Sequence, residues 1–147
     1  MTFYSSPEDE LTRGTVFQAV ARLRAGDSKV LFREGHNHGA IYLAGYAVEC
    51  QLKYAVCERN ELKELPARVK LAPNKGERSL YVHDWSLLLV AAQLRGYLEK
   101  MESLFWELND EWGPALRYRT KTFRPGEASR LYSQIFALYS FFAEIQP

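Results

Sequence analysis

Apolar residues recur at steps of three and four positions through the middle of the chain, between residues 40 and 56. Such spacing places side chains on one buried face of an α-helix. The repeating positions are Ala40, Leu43, Ala44, Ala47, Val48, Leu52, Ala55 and Val56. The pattern therefore predicts a core helix that runs to about Arg59.

Small residues interrupt this face at Ala44, Gly45 and Ala47. Glycine inside a helix costs about 1 kcal/mol relative to alanine, so something must offset the loss. We expect a closely packed neighbour at Gly45, either within the same bundle or across a dimer axis.

A second stripe on the same helix carries Tyr42, Tyr46, Glu49 and Lys53. Glu49 precedes Lys53 by four residues, the favourable orientation for an ion pair on a helix. One interpretation is a solvated pair that contributes a few tenths of a kcal/mol. The other gives the carboxylate a role in function, and Glu49 and Lys53 are therefore candidate ligand-binding residues.

Capping and breaking signals divide the rest of the chain. Ser6 and Pro7 indicate the start of a first helix, and Asp84 can cap another that begins at Trp85. Further segments are predicted to be helical at residues 95–111 and 127–145, whereas residues 66–80 are predicted to form an exposed loop. Strand-like alternation is not evident, so the expected fold is an all-α bundle of about five helices in a single domain, residues 1–147.

Composition narrows the class of protein. An apolar content of 47% with 25% charged residues is ordinary for a globular chain. The aromatic content of 14% is high, which suits an oligomer interface as well as a core. A formal net charge of +1 gives no global electrostatic argument for nucleic-acid binding, so any basic patch must be local.

The chain carries no signal for a membrane or for secretion. Its apolar runs, such as residues 87–92, are far shorter than the roughly 20 residues of a membrane helix, and the N-terminus has acids where a signal peptide has basic residues. We expect a cytoplasmic protein without membrane contact. Cys50 and Cys57 lie about 10 Å apart along one predicted helix, too far for a disulfide, and are expected to be reduced.

Three groups of residues are candidates for chemistry. His36 and His38 flank Asn37 in a glycine-bounded break, but two histidines lack the ligand set of a defined metal site. No metal is therefore assigned, and because no Gly-rich phosphate loop occurs, no cofactor is expected. His83, just before the predicted cap Asp84, is a candidate general base, although a lone histidine is more often a packing residue.

The third group is the basic and aromatic run at residues 117–124, RYRTKTFR. Cations can hold phosphates while aromatic rings stack on bases, which makes Arg117, Tyr118, Arg119 and Lys121 candidate ligand-binding residues. The other interpretation is a solvated basic turn that Tyr118 and Phe123 anchor to the core.

Three segments, in order, resemble a HEPN domain: AGYAVECQLK from Ala44 to Lys53, HDWSL from His83 to Leu87, and LRY from Leu116 to Tyr118. HEPN domains are all-α bundles that commonly dimerise and are often encoded beside minimal nucleotidyltransferases. They recur in toxin–antitoxin, defence and RNA-processing systems. The resemblance implies a homodimer, with a nucleotidyltransferase, RNA or a nucleotide as possible partner.

Catalytic members of that family are metal-independent ribonucleases with an arginine followed, after four to six residues, by a histidine late in the domain. The positions at that spacing from Arg117 are Thr122, Phe123 and Arg124, none of which accepts a proton as imidazole does. Arg33 and His38 have the spacing but precede the core helix, and we treat that match as chance.

We therefore expect a catalytically degenerate HEPN-like module that binds nucleotide, RNA or a nucleotidyltransferase around residues 117–119. The first alternative is a metal-independent ribonuclease in which His83 is the general base and Arg117 stabilises the phosphorane charge. The second is a helical scaffold without a ligand.

Overall fold

The computed structural model describes residues 1–4, 12–113, 116 and 118–145. Within these ranges the chain forms five α-helices and a small antiparallel sheet. The helices are α1 (Gly14–Arg33), α2 (Asn37–Arg59), α3 (Trp85–Ala91), α4 (Glu102–Glu111) and α5 (Glu127–Glu144). The predicted bundle of about five helices is thus confirmed, whereas the small sheet departs from the all-α prediction.

Helix α2 is the centre of the molecule. It packs against α1, α3 and α5, and every residue from Ala47 to Lys53 is buried. A helical segment that is enclosed on all sides, as residues 47–53 are, cannot keep one face in solvent. The predicted division into a buried face and a solvated second stripe is therefore wrong at Glu49 and Lys53, which are 1% and 9% exposed.

At Gly45, a side chain from outside α2 packs directly against the backbone of this helix. A Cβ built on it would overlap the indole of Trp112, which follows α4 and is itself buried. The same indole stacks on Trp85, with ring centroids 5.0 Å apart. The expected close neighbour of this glycine is therefore a tryptophan of the same bundle.

The predicted exposed loop at residues 66–80 is exposed over residues 73–79, but it contains two short strands, so the prediction of a loop throughout is wrong. Strand β2 (Arg68–Lys70) lies between β1 (Thr2–Tyr4) and β3 (Arg78–Ser79), and both pairings are antiparallel. Val69 and Leu80 are fully buried and join the core. Strands of two or three residues are too short to show alternation, and β1 comes from the far end of the chain.

Most predicted helix boundaries agree with the structure. Helix α2 ends at Arg59, α3 begins at Trp85 and α5 begins at Glu127, as expected. The segment predicted as one helix over residues 95–111 instead starts with two 3₁₀ turns, Arg95–Tyr97 and Glu99–Met101, before α4. The predicted first-helix start at Ser6 lies outside the described residues, but α1 begins at Gly14 and Arg13 before it is extended, so the prediction of one continuous helix from Ser6 is wrong.

Among the described helices, none combines the length and the apolar character that crossing a bilayer demands.

Candidate functional site

A buried carboxylate joins α2 to the start of α3. Glu49 Oε2 accepts a hydrogen bond from Lys53 Nζ at 2.9 Å, and Glu49 Oε1 lies 2.5 Å from His83 Nδ1. A carboxylate only accepts hydrogen bonds, so His83 Nδ1 carries the proton. In the neutral ring this leaves Nε2 as a proton acceptor, the state that a general base requires.

Local structure holds His83 in this place. The next residue, Asp84, caps α3 by accepting hydrogen bonds from the backbone N–H groups of Ser86 and Leu87. Capping holds the chain extended at Asp84 and sets the direction in which residue 83 leaves the helix. The His83 side chain is 53% exposed, whereas that of Glu49 is 1% exposed. The carboxylate therefore contacts the buried side of the imidazole, and the other side of the ring faces solvent.

His83 opens onto a cleft of about 460 Å³. The cleft is lined by Tyr81, Val82, His83, Asp84, Asn109, Trp112 and Gly113. Among the described residues that line it there is no lysine or arginine, and Asp84 adds negative charge. The described part of the cleft therefore offers a base beside a carboxylate.

The basic segment forms an ordered loop between residues 118 and 126. The Arg119 guanidinium donates to the backbone oxygens of Lys121 and Thr122, at 3.2 and 3.1 Å, and to Glu127 Oε1 at 3.1 Å. It also stacks over the Phe123 ring at 4.3 Å. Arg119 thus holds the loop in this conformation through its hydrogen bonds and its contact with the Phe123 ring.

Glu127 closes the loop onto the first turn of α5. Its Oε1 also accepts a hydrogen bond from the backbone N–H of Arg124 at 3.0 Å. This backbone hydrogen bond, followed by the one from Arg119, holds the pKa of Glu127 below its usual value. Hydrogen bonds that favour the charged carboxylate explain the direction.

His38, in the first turn of α2, supports the same loop. Its Nε2 lies 3.0 Å from the backbone oxygen of Lys121, and its ring packs on Phe123 with centroids 4.5 Å apart. The cavity beneath, lined in part by Tyr42 and Trp112, measures about 40 Å³. That volume is far below the ~300 Å³ of a small-ligand pocket, so binding here must take place on the outer surface.

The loop presents exposed cations and one exposed ring. Lys121 and Arg124 are exposed, the Arg124 side chain to 85%, and Tyr118 is 81% exposed. Phe123 anchors the loop to the core as one interpretation expected, whereas Tyr118 stands in solvent. We call the surface formed by Tyr118, Lys121 and Arg124 the basic loop surface.

The structure thus separates the predicted site residues into two groups. Glu49 and Lys53 join His83 in a buried cluster, whereas Tyr118, Arg119 and Lys121 belong to the loop. Arg117 lies outside the described residues. The two groups are neighbours, because Trp112 lines both the His83 cleft and the small cavity under the loop.

Sequence reasoning missed the supporting role of two residues, Glu127 and His38. Glu127 follows Arg124 by three residues at a helix start, a signal that was available. The contact of His38 with residues 121 and 123 spans more than eighty positions and had no local signal.

The cysteines agree with the expectation of reduced, packed thiols. Cys50 and Cys57 are both free and buried. Burial is the largest cause that raises the pKa of Cys50 to about 11 and that of Cys57 to about 12. Protonated, enclosed thiols of this kind are poor nucleophiles.

Within the described part of the chain, no three His, Cys, Asp or Glu side chains are grouped so as to hold a metal ion.

Comparison with known proteins gives no relative: no family model matches the chain, and neither a curated protein nor a solved structure is significantly similar to it.

Proposed function

We propose that this chain is a HEPN-like module that binds single-stranded RNA on the basic loop surface. The observation that carries the proposal is the combination of exposed Lys121 and Arg124 with an exposed Tyr118 ring, on a loop that Arg119, Glu127 and Phe123 brace. Cations hold the phosphate backbone while aromatic rings stack on unpaired bases.

The geometry favours an extended strand over a single nucleotide. The cavity beneath the loop measures about 40 Å³ and has no room for a base, whereas the outer surface is open.

Fluorescence anisotropy with labelled single-stranded RNA at several salt concentrations tests the proposal. The double variant Lys121→Gln, Arg124→Gln is expected to weaken binding and to reduce the slope of log K against log salt by roughly 1.4, about 0.7 for each lost phosphate contact. Tyr118→Ala is expected to weaken binding about tenfold through lost stacking.

Matched controls are available elsewhere on the surface. Lys75→Gln with Arg78→Gln makes the same charge change at two exposed positions near β3, and Tyr97→Ala removes another exposed ring. These variants should bind RNA as the parent does. Equal loss in test and control variants would mean that only net charge matters, and the proposed surface would then be wrong.

The His83–Glu49 pair favours a second candidate function, a metal-independent ribonuclease. In this reaction His83 Nε2 takes the proton of a ribose 2′-hydroxyl, the 2′-oxygen forms a bond to phosphorus, and the bond from phosphorus to the 5′-oxygen breaks. The departing 5′-oxygen takes a proton from water, and the imidazolium returns its proton to the solvent. Glu49 holds the tautomer and stabilises the imidazolium that forms. None of the described lining residues is a lysine or arginine, and this candidate mechanism assigns the charge on the phosphorane to Arg117.

Cleavage of mixed cellular RNA in excess EDTA tests this candidate. His83→Ala should lower the rate by about a hundredfold or more, the usual contribution of a general base, and Arg117→Ala should also lower it. His36→Ala, at an exposed histidine, is the control. A confirmed cleavage rate that His83→Ala leaves unchanged would remove His83 from the mechanism.

The family resemblance adds a homodimer and a minimal nucleotidyltransferase partner to the proposal. Sedimentation velocity of the purified chain, alone and with any nucleotidyltransferase encoded next to it, tests both. A chain that sediments as a monomer under both conditions would count against these partners.

A further inference from the structure

The C-terminal half of α2 contains a buried polar side chain without a partner. Four polar or charged side chains are buried in the described part of the chain: Ser28, Glu49, Gln51 and Lys53. Ser28 donates to the backbone oxygen of Ala25, and Glu49 pairs with Lys53. Gln51, only 5% exposed, makes no side-chain hydrogen bond within the described residues. Its amide atoms are not among the fully enclosed polar atoms of the described residues, so they keep accessible surface on which a bound molecule can pair with them.

Gln51 faces a cleft between α1, the end of α2 and the end of α5. The cleft has a volume of about 480 Å³, within the range of small-ligand sites. Because Gln51 lines this cleft, the small part of its surface that remains accessible is available to a molecule bound there.

Other polar groups around the cleft are already engaged and make its wall rigid. The Asn60 amide donates to the backbone oxygens of Val56 and Ala91, at 2.8 and 2.9 Å. Arg59 donates to the backbone oxygens of Ala92 and Gln93. These bonds tie the end of α2 to the end of α3, so the wall beside Gln51 is preformed.

Charge and shape limit what the cleft can accept. Glu58 and Glu61 both line it against a single cation, Arg59, which is already bonded to backbone oxygens. Burial, then the negative charge of Glu58, raise the pKa of the Tyr54 hydroxyl that also lines it. An anion is thus disfavoured. The apolar lining residues that keep accessible surface are Ala55, Ala143 and Ile145, and a flat molecule can lie against them.

We propose that this cleft binds a small, uncharged, planar molecule with an amide-type edge, a donor beside an acceptor, which pairs with both polar atoms of the Gln51 side chain. Primary amides and cyclic imides share this edge. The site has no lining residue in common with the basic loop surface and does not depend on RNA binding.

Three probes separate these requirements: benzamide as a primary amide, uracil as a cyclic imide, and benzoate as the anion of the same shape as benzamide. Binding is measured on the full chain by thermal shift and by isothermal titration calorimetry at millimolar concentration. Benzamide or uracil should raise the melting temperature, and benzoate should bind at least about tenfold more weakly than the better of the two, because its charge meets two carboxylates. If benzamide binds, the ligand class is a primary amide; if uracil binds, the ligand class is a cyclic imide.

Gln51→Leu keeps the size of the side chain but removes its polar atoms. It should raise the melting temperature of the free protein and weaken binding at least about tenfold, since the bound ligand's polar groups are then unpaired. Gln51→Glu, which keeps the shape and removes the donor, serves if the leucine variant does not fold and should also weaken binding. Gln134→Leu, on α5 and outside the cleft, is the control.

The proposal is overturned if neither benzamide nor uracil stabilises the parent protein. It is equally overturned if benzoate binds as well as benzamide, or if the Gln51 variants bind as tightly as the Gln134 control. Ligand binding that is lost only in the Gln51 variants supports it.

Discussion

Glu49 shows how one residue can connect distant parts of this protein. Its carboxylate is almost completely buried, yet it pairs with Lys53 one turn later and with His83 thirty-four positions along the chain. A buried charge is costly unless it is paired and hydrogen-bonded, and here both oxygens have a partner. The cluster therefore serves stability and orients His83.

Glu49→Gln is expected to destabilise the fold by about 3 kcal/mol, because Lys53 would remain buried without its counter-charge. Chemical denaturation monitored by circular dichroism measures the change in the free energy of unfolding. Glu58→Gln, at an exposed position of the same helix, should change it by less than about 0.5 kcal/mol. A loss below about 1 kcal/mol in Glu49→Gln would show that the pair contributes no more than a surface ion pair.

At the scale of elements, the packing of α2 depends on contacts that its own periodicity does not show. Trp112 lies after α4, covers Gly45 and stacks on Trp85 at the start of α3. One indole thus joins three helices. Because the interior is closely packed, this contact leaves no space for a larger residue at position 45.

Gly45→Ala is expected to destabilise the protein by about 2 kcal/mol, since overpacking against Trp112 exceeds the gain in helix propensity. The matched change is Gly26→Ala on α1, where an added methyl group meets nothing within 4 Å. That variant should stabilise the protein by up to about 1 kcal/mol. Thermal unfolding of both variants checks the pair, and a Gly45→Ala protein as stable as the parent would contradict the packing argument.

At the scale of the whole molecule, the enclosed thiols make stability depend on alkaline pH. Cys50 has a pKa of about 11 and Cys57 of about 12, against an ordinary value of 9.0. Above pH 9 the unfolded chain releases these protons while the folded chain keeps them. The thiols' contribution is therefore complete below pH 9 and is lost as the pH rises towards 11 to 12.

Each thiol should lower the free energy of unfolding by about 1 kcal/mol as the pH rises from 9 to 10. Urea unfolding at pH values on both sides of 9 measures how the free energy of unfolding changes with pH. Cys57→Ala should make this change smaller, although it also removes some packing contacts. Both thiols should also react with a thiol reagent only as fast as the protein opens. Rapid modification of the folded protein would show that the cysteines are accessible.

Features that depend only on residues close together along the chain could be predicted from the sequence. Helix α2, the Asp84 cap of α3 and the start of α5 at Glu127 were predictable, because periodicity and capping act over one or two turns. The candidate chemistry was also local: His83 beside a cap, the pair of Glu49 and Lys53, and a basic run between two helices.

Tertiary structure decided what those residues do. It buried Glu49 under His83, placed His38 beneath the basic loop, covered Gly45 with Trp112 and left Gln51 unpaired beside a cleft. The first three of these relations join segments that are far apart along the chain, and of the four only the close neighbour at Gly45 had a local signal in the sequence. Sequence alone thus determined the helices and the residue types available for chemistry, whereas the packing of α2 at the centre of the bundle determined which of them meet, because burial depends on every neighbouring element at once.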